Sequence, residues 1–208
     1  MWSPDYYALK DRSRMLRFMR EYPFAVLSLS DANGRMNAVH LPFIYVEARD
    51  GSVDLLAHLA RANPLHGSFD GQREALVVFS GPHGYVSPFD YESGGQVPTW
   101  NYSAVHASGR PQIVRDAGES MRIIADLAQF MEPAKQGWRM EMLDEAKRSG
   151  LLQGIVAFRM PIERMQGKLK LNQNKSADDV RAVAAKQREQ GNHELADMML
   201  AELDRSNA

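Results

Sequence analysis

Lys168 and Lys170 stand two apart in "GKLKLNQNK", Gly167 to Lys175, interleaved with Leu169 and Leu171. If the segment is extended, alternation puts both ammonium groups on one side and both leucines on the other. Two lysines converging on one side suit a phosphate or the anionic edge of a ring, and Gln173 and Asn174 supply amide donors and acceptors just beyond. The same pattern also suits a solvated strand edge that lysines keep from pairing with a neighbour. A second candidate is "HLARANP", His58 to Pro64, where a strand passes into a short helix that Asn63 caps and Pro64 begins. Unpaired main-chain N–H groups beside Arg61 would hold an anion such as a phosphate monoester. Read structurally, the same residues are a helix cap with an exposed arginine, and His58 by itself is a packed strand residue.

The third stretch is "VPTWNYSAVHASG", Val97 to Gly109. Its β-branched and aromatic residues predict an extended segment, with Thr99, Asn101 and Ser103 on one face and Trp100, Tyr102 and Ala104 on the other. Trp100 and Tyr102 have the surfaces to stack on a flat heterocycle, and Thr99 and Asn101 the groups to hydrogen-bond its edge. Core packing beside a solvated polar face is the plainer alternative.

Other chemistries lack their residues. The chain has no cysteine, so thiolate metal sites, disulfides and cysteine nucleophiles are excluded. None of its 6 histidines forms an H-x-H or H-E-x-x-H pair, so no metal centre is expected. There is no G-x-S-x-G, no Walker loop, no G-x-G-x-x-G after a strand and no outstanding carboxylate pair.

The elements that must position these residues follow from side-chain periodicity. Helical spacing over 11–21 ends before Pro23. "FAVLSLS", "DANG" and "RMNAVHLPFIYVE" read as a hairpin, and "VDLLAHLA" as the next strand. "EALVVFSGPHGYVSP" gives a strand to Gly81 and a kinked extended piece to Pro88, and the opening of the third candidate follows a glycine-bearing loop. "SMRIIADLAQFME" and "WRMEMLDEAKRSGLL" are amphipathic helices separated by Pro133 and Gly137, and "LQGIVAFRMPI" returns to strand. From Ser176 onward two helices are expected, broken at Gly191 and Asn192. Six or seven mostly antiparallel strands with helices inserted late make a mainly β, α+β protein: an antiparallel barrel with peripheral helices. The expected organisation is one domain over 1–175, with inserted helices at about 116–151, and a helical tail over 176–208 packed on it.

With 208 residues, about 70% of the unfolded surface can be buried. The net charge of −1 leaves the whole molecule without an electrostatic footprint for nucleic acid. Residues 10–20 hold five basic groups against one acid, which reads as a solvated helix face, and from Lys175 onward five Lys or Arg face seven Asp or Glu. DNA binding is therefore unsupported by charge pattern. No leader-like or membrane-spanning apolar run occurs, so a cytoplasmic protein without membrane partners is expected.

"NAVHLPF", "HLARANP", "FSGPHGYVSP", "VPTWNYSAVHASG" and "GKLKLNQNK", in this order, resemble the PaiB-like family of FMN-binding negative transcriptional regulators. The likeness runs from about Pro4 to about Lys175, and Trp2 keeps an aromatic where the family has Met-Tyr. The resemblance implies a split β-barrel of the flavin reductase and pyridoxamine-phosphate oxidase type, a homodimer, and FMN between subunits. By the same resemblance, His58, Arg61 and Asn63 belong near the phosphate. Thr99, Trp100, Asn101 and Tyr102 surround the isoalloxazine, with His106 further along that strand. Lys168, Lys170, Gln173 and Asn174 serve the phosphate or the pyrimidine edge. Transcriptional repression is the implied role; an FMN-dependent oxidoreductase and a haem-binding split barrel stand as alternatives, and the sequence leaves open whether the protein is an enzyme.

Overall fold

Phe24 to Ser30 alternates residues that turn inward (Ala25, Leu27, Leu29) with partly exposed ones, and this alternation is what a half-buried strand requires. A computed structural model describes residues 1–132 and 137–206. In chain order its strands are β1 (Ala8–Leu9), β2 (Phe24–Ser30), β3 (Met36–Pro42), β4 (Ile44–Glu47), β5 (Val53–Ala60), β6 (Ala75–Val86), β7 (Thr99–Gly109), β8 (Gln112–Ile113) and β9 (Ile155–Lys170). The helices are α1 (Arg12–Glu21), α2 (Ala117–Met131), α3 (Glu145–Gly154), α4 (Ala177–Glu189) and α5 (His193–Ser206). The strands form one sheet ordered β3-β2-β6-β7-β9-β5-β4, with β1 and β8 both paired to β9. The antiparallel, mainly β architecture with inserted helices is as expected.

Three local expectations are corrected. The returning strand of the first hairpin is two strands, because Pro42 has no amide hydrogen to continue the ladder. β3 pairs with β2, and β4 beyond Phe43 pairs with β5. Conversely, the strand does not end at Gly81: β6 continues through Gly81 and Pro82 to Val86, 12 residues in all. The expected helix at 138–152 is a 3-10 turn, Met140–Met142, followed by α3. Asp144 starts α3 anew by accepting the Lys147 N–H at 2.8 Å. Pro133, the expected separator of two helices, lies outside the described residues.

The chain divides into two compact units. One comprises 1–18, 80–105 and 166–208; the other comprises 19–79 and 106–165. In the first, α4 and α5 bury Val180, Val183, Leu195 and Met199. Gln187 is wholly buried there and donates to the Tyr85 carbonyl at 2.8 Å. In the second, α2 packs Ile123 and Leu127 against Leu56, Val114 and Ala157, and Phe158 meets Phe43 and Phe69 with ring centroids 6.1 and 4.6 Å apart. Gly109 closes β7 there because a Cβ would collide with the main-chain oxygen of Pro161. Among the described residues no helix is long and apolar enough to cross a membrane.

Candidate functional site

β9 carries Lys168 and Lys170 past the start of β7, and both ammonium groups are held by residues of that first unit. The Lys168 side chain is only 6% exposed, with Nζ 5.3 Å from the ring centroids of both Trp2 and Tyr102. It donates to the Trp2 carbonyl at 3.3 Å. Lys170 Nζ donates to the Trp100 carbonyl at 2.6 Å and to Thr99 Oγ1. Among the described residues neither lysine has a carboxylate partner. Burial and the neighbouring Lys168 charge hold the Lys170 ammonium below the usual lysine range. Two like charges, partly desolvated and not neutralised, form a site that gains by taking an anion.

The ring surface beside them is open. Trp100 is 49% exposed and Tyr85 47% exposed. Trp100 stacks on His83 with centroids 5.8 Å apart, and Tyr85 meets its ring at 6.2 Å. The alternation expected for β7 is present, but its sense is the reverse of a solvated polar face. Asn101 and Ser103 point inward, and the aromatic side faces out. Asn101 is wholly buried, donating through Nδ2 to the Met199 sulfur at 3.6 Å, and its Oδ1 has no partner among the described residues. It does not share the face of Trp100 and Tyr102.

The amide turn after Lys170 is spent on its own chain. Gln173 accepts the Leu171 N–H at 2.8 Å and donates to the Leu169 carbonyl at 2.6 Å. Asn174 Oδ1 accepts from the Tyr7 hydroxyl at 2.9 Å, a phenol pushed up to about 12 by burial and by Tyr6 and Tyr91. Trp2, His83 and Tyr85 are the members of this cluster that motif reading left unassigned. The spacing of His83 and Tyr85, two apart in a strand, was the available signal.

The "HLARANP" residues lie in the second unit. Asn63 caps the five-residue 3-10 turn Pro64–Ser68 by accepting the Leu65 N–H at 3.0 Å, so that N–H, expected to be unpaired, is taken. Arg61 reaches the end of α3: Nε donates to the Gln153 carbonyl at 2.8 Å, and Nη2 to Leu152 and Ile155 at 3.2 and 2.7 Å. Those bonds use three of the five guanidinium donors. The pair on Nη1 has no protein acceptor among the described residues. His58 is paired in register with Ala157, its Nδ1 is buried without a partner among the described residues, and burial keeps the imidazole below its usual pKa. His106, half-buried on β7, is shifted the same way for the same reason.

The chemistry of the first cluster fits FMN, whose needs are cations for a phosphate or ring edge and aromatic surface for a flat ring. Family comparison agrees. Residues 1–164 match the family described as "Putative FMN-binding domain". The chain is 28% identical over 179 residues to "Protease synthase and sporulation protein PAI 2" of Bacillus subtilis, covering 86% of this chain and 85% of the relative. Among solved structures, the flavocytochrome Anf3 of Azotobacter vinelandii matches with a TM-score of 0.60 at 17% identity, over 80% of this chain and 72% of its own. An FAD and haem binding protein of Mycobacterium smegmatis matches at 0.58 and 16% identity, over 84% and 78%. These last two are likenesses of fold, and the fold is the expected antiparallel split barrel.

Proposed function

Because the chain belongs to this family of FMN-binding domains, with FMN as its cofactor, we propose that it works as a flavin-containing homodimer acting in transcriptional repression. The observation that carries the flavin site is the Lys168–Lys170 pair, unneutralised by any carboxylate among the described residues and set beside Trp100 and Tyr102. Lys168 and Lys170 hold the anionic part of the cofactor, and Trp100 with Tyr102 supplies ring contact. Arg61 contributes at most its Nη1 pair. Bound FMN supplies a ring that accepts and returns electrons.

Large apolar side chains left open in the first unit support the homodimer: Trp2 at 81%, Phe89 at 93% and Val97 at 71% exposure. Likeness to a protein named for protease synthesis and sporulation supports the regulatory role. The acidic balance of 175–208 argues against a DNA-reading helix in that tail. A second reading, FMN-dependent oxidoreductase, draws on Lys170: a cation beside the pyrimidine edge favours a ring that takes up negative charge.

The deciding experiment begins with the absorption spectrum of protein incubated with FMN and gel-filtered. A retained flavin spectrum that riboflavin fails to displace is expected. Transcript levels in cells carrying the Lys168→Ala/Lys170→Ala double variant then separate the roles. Derepression matching a deletion supports the regulator; full repression by the flavin-free variant overturns it. Turnover of an acceptor with a nicotinamide reductant would favour the enzyme.

A further inference from the structure

A cavity of about 610 Å³ lies within the second unit and shares no lining residue with the lysine cluster or with Arg61. Its size falls in the range of small-molecule sites. Phe43, Tyr45, Phe130 and Trp138 give it aromatic walls. Asp126 and Phe130, four apart on α2, share one helix face and so reach the cavity together.

The charges around those walls are not all paired. Glu132 accepts the Trp138 N–H at 3.0 Å, which fixes the tryptophan main chain, and Arg139 already has a partner. Arg20 is different: its guanidinium lies 5.8 Å over the Phe130 ring and pairs with no carboxylate among the described residues. A cation–π contact of this kind takes up no N–H donor, and the guanidinium N–H groups remain available for a ligand. Asp126 likewise has no cationic partner among them. Among the described residues the cavity therefore offers aromatic surface, a cation without a carboxylate partner in Arg20, and two carboxylates without a cationic one, of which Glu132 is engaged by the Trp138 N–H and Asp126 is not. A ligand bearing a single charge would leave the opposite protein charge unpaired as it covers the site, and that is unfavourable.

We propose that this cavity is a second ligand site, for a zwitterionic aromatic molecule of the aromatic α-amino acid class. Its ring lies among Phe43, Tyr45, Phe130 and Trp138, its carboxylate on Arg20 and its ammonium on Asp126. The site is independent of the flavin reading.

Calorimetric titration of the full-length protein with three probes tests it: L-tryptophan, tryptamine (no carboxylate) and indole-3-propionate (no ammonium). Tryptophan is expected to bind about tenfold tighter than either analogue, the worth of one hydrogen bond to a charged group. Arg20→Gln should reduce tryptophan to the level of tryptamine while leaving tryptamine unchanged. Asp126→Asn should do the same relative to indole-3-propionate. Both side chains are exposed, so the variants should melt like the parent; if one does not, the ranking on the parent protein decides. Equal affinity for all three probes, no binding of any, or a ranking that both substitutions leave untouched would overturn the proposal.

Discussion

The two cationic motifs of this chain look alike on paper and are used differently in the fold. At Lys168 and Lys170 the two charges are neighbours, Lys168 over the rings of Trp2 and Tyr102, and among the described residues both are bonded only to carbonyls and a hydroxyl, with no carboxylate to offset their mutual repulsion. At Arg61 the guanidinium closes the carbonyl end of α3, where the helix dipole is negative, and Asn63 serves its own turn. One region keeps an electrostatic demand that a ligand can meet; the other has met most of its demand internally. A basic residue in a ligand-type motif thus says little until its acceptors are known.

The largest test of that contrast is the Lys168→Ala/Lys170→Ala double variant. Each charged hydrogen bond to a ligand contributes roughly 1.5–3 kcal/mol, so FMN affinity should fall at least about a hundredfold by fluorescence titration. Unchanged affinity would remove the distinction between the regions.

Arg61→Ala should register instead in stability, with a loss of about 1–2 kcal/mol in urea unfolding as three carbonyls lose their donor. FMN affinity should stay within about threefold, less than one charged hydrogen bond is worth. A loss of more than about tenfold would mean that the Nη1 pair reaches the phosphate, and the two motifs would then be one site.

pH sharpens the comparison further. The folded pKa of Lys170 is depressed below 10.5, so the folded chain binds fewer protons than the unfolded one between those two values. There stability rises with pH while the cation that FMN needs is lost. FMN affinity should therefore begin to fall below the ordinary lysine range, and Lys170→Gln should flatten that decline, as measured by titration across alkaline pH.

The smallest effect belongs to His58. Its folded pKa lies below 6.5, so the unfolded chain binds more protons as pH falls through that window and stability drops on acidification. His58→Gln should flatten the stability–pH slope below 6.5, read from urea midpoints.

Much of this was legible in one dimension, because it depends on local period and local turn chemistry. Alternation in "FAVLSLS" and "VDLLAHLA" gave β2 and β5, Asn63-Pro64 gave the capped turn, and Gly191 the break between α4 and α5. The order of five motifs gave the family and its cofactor. What the sequence could not rank was the use of equivalent residues. Period two says that Asn101 and Trp100 face opposite ways, not which way is out; the packing of α5, which sets Met199 over Asn101, decides that. The charge of Arg61 is written in the chain, but its partners lie 91 to 94 residues away at the end of α3. Arg20 and Asp126 reach one cavity only because α1 and α2 are brought to it. Local conformation follows from near neighbours; whether a charge is neutralised, stacked or left free depends on long-range contacts, and those exist only once the chain has folded.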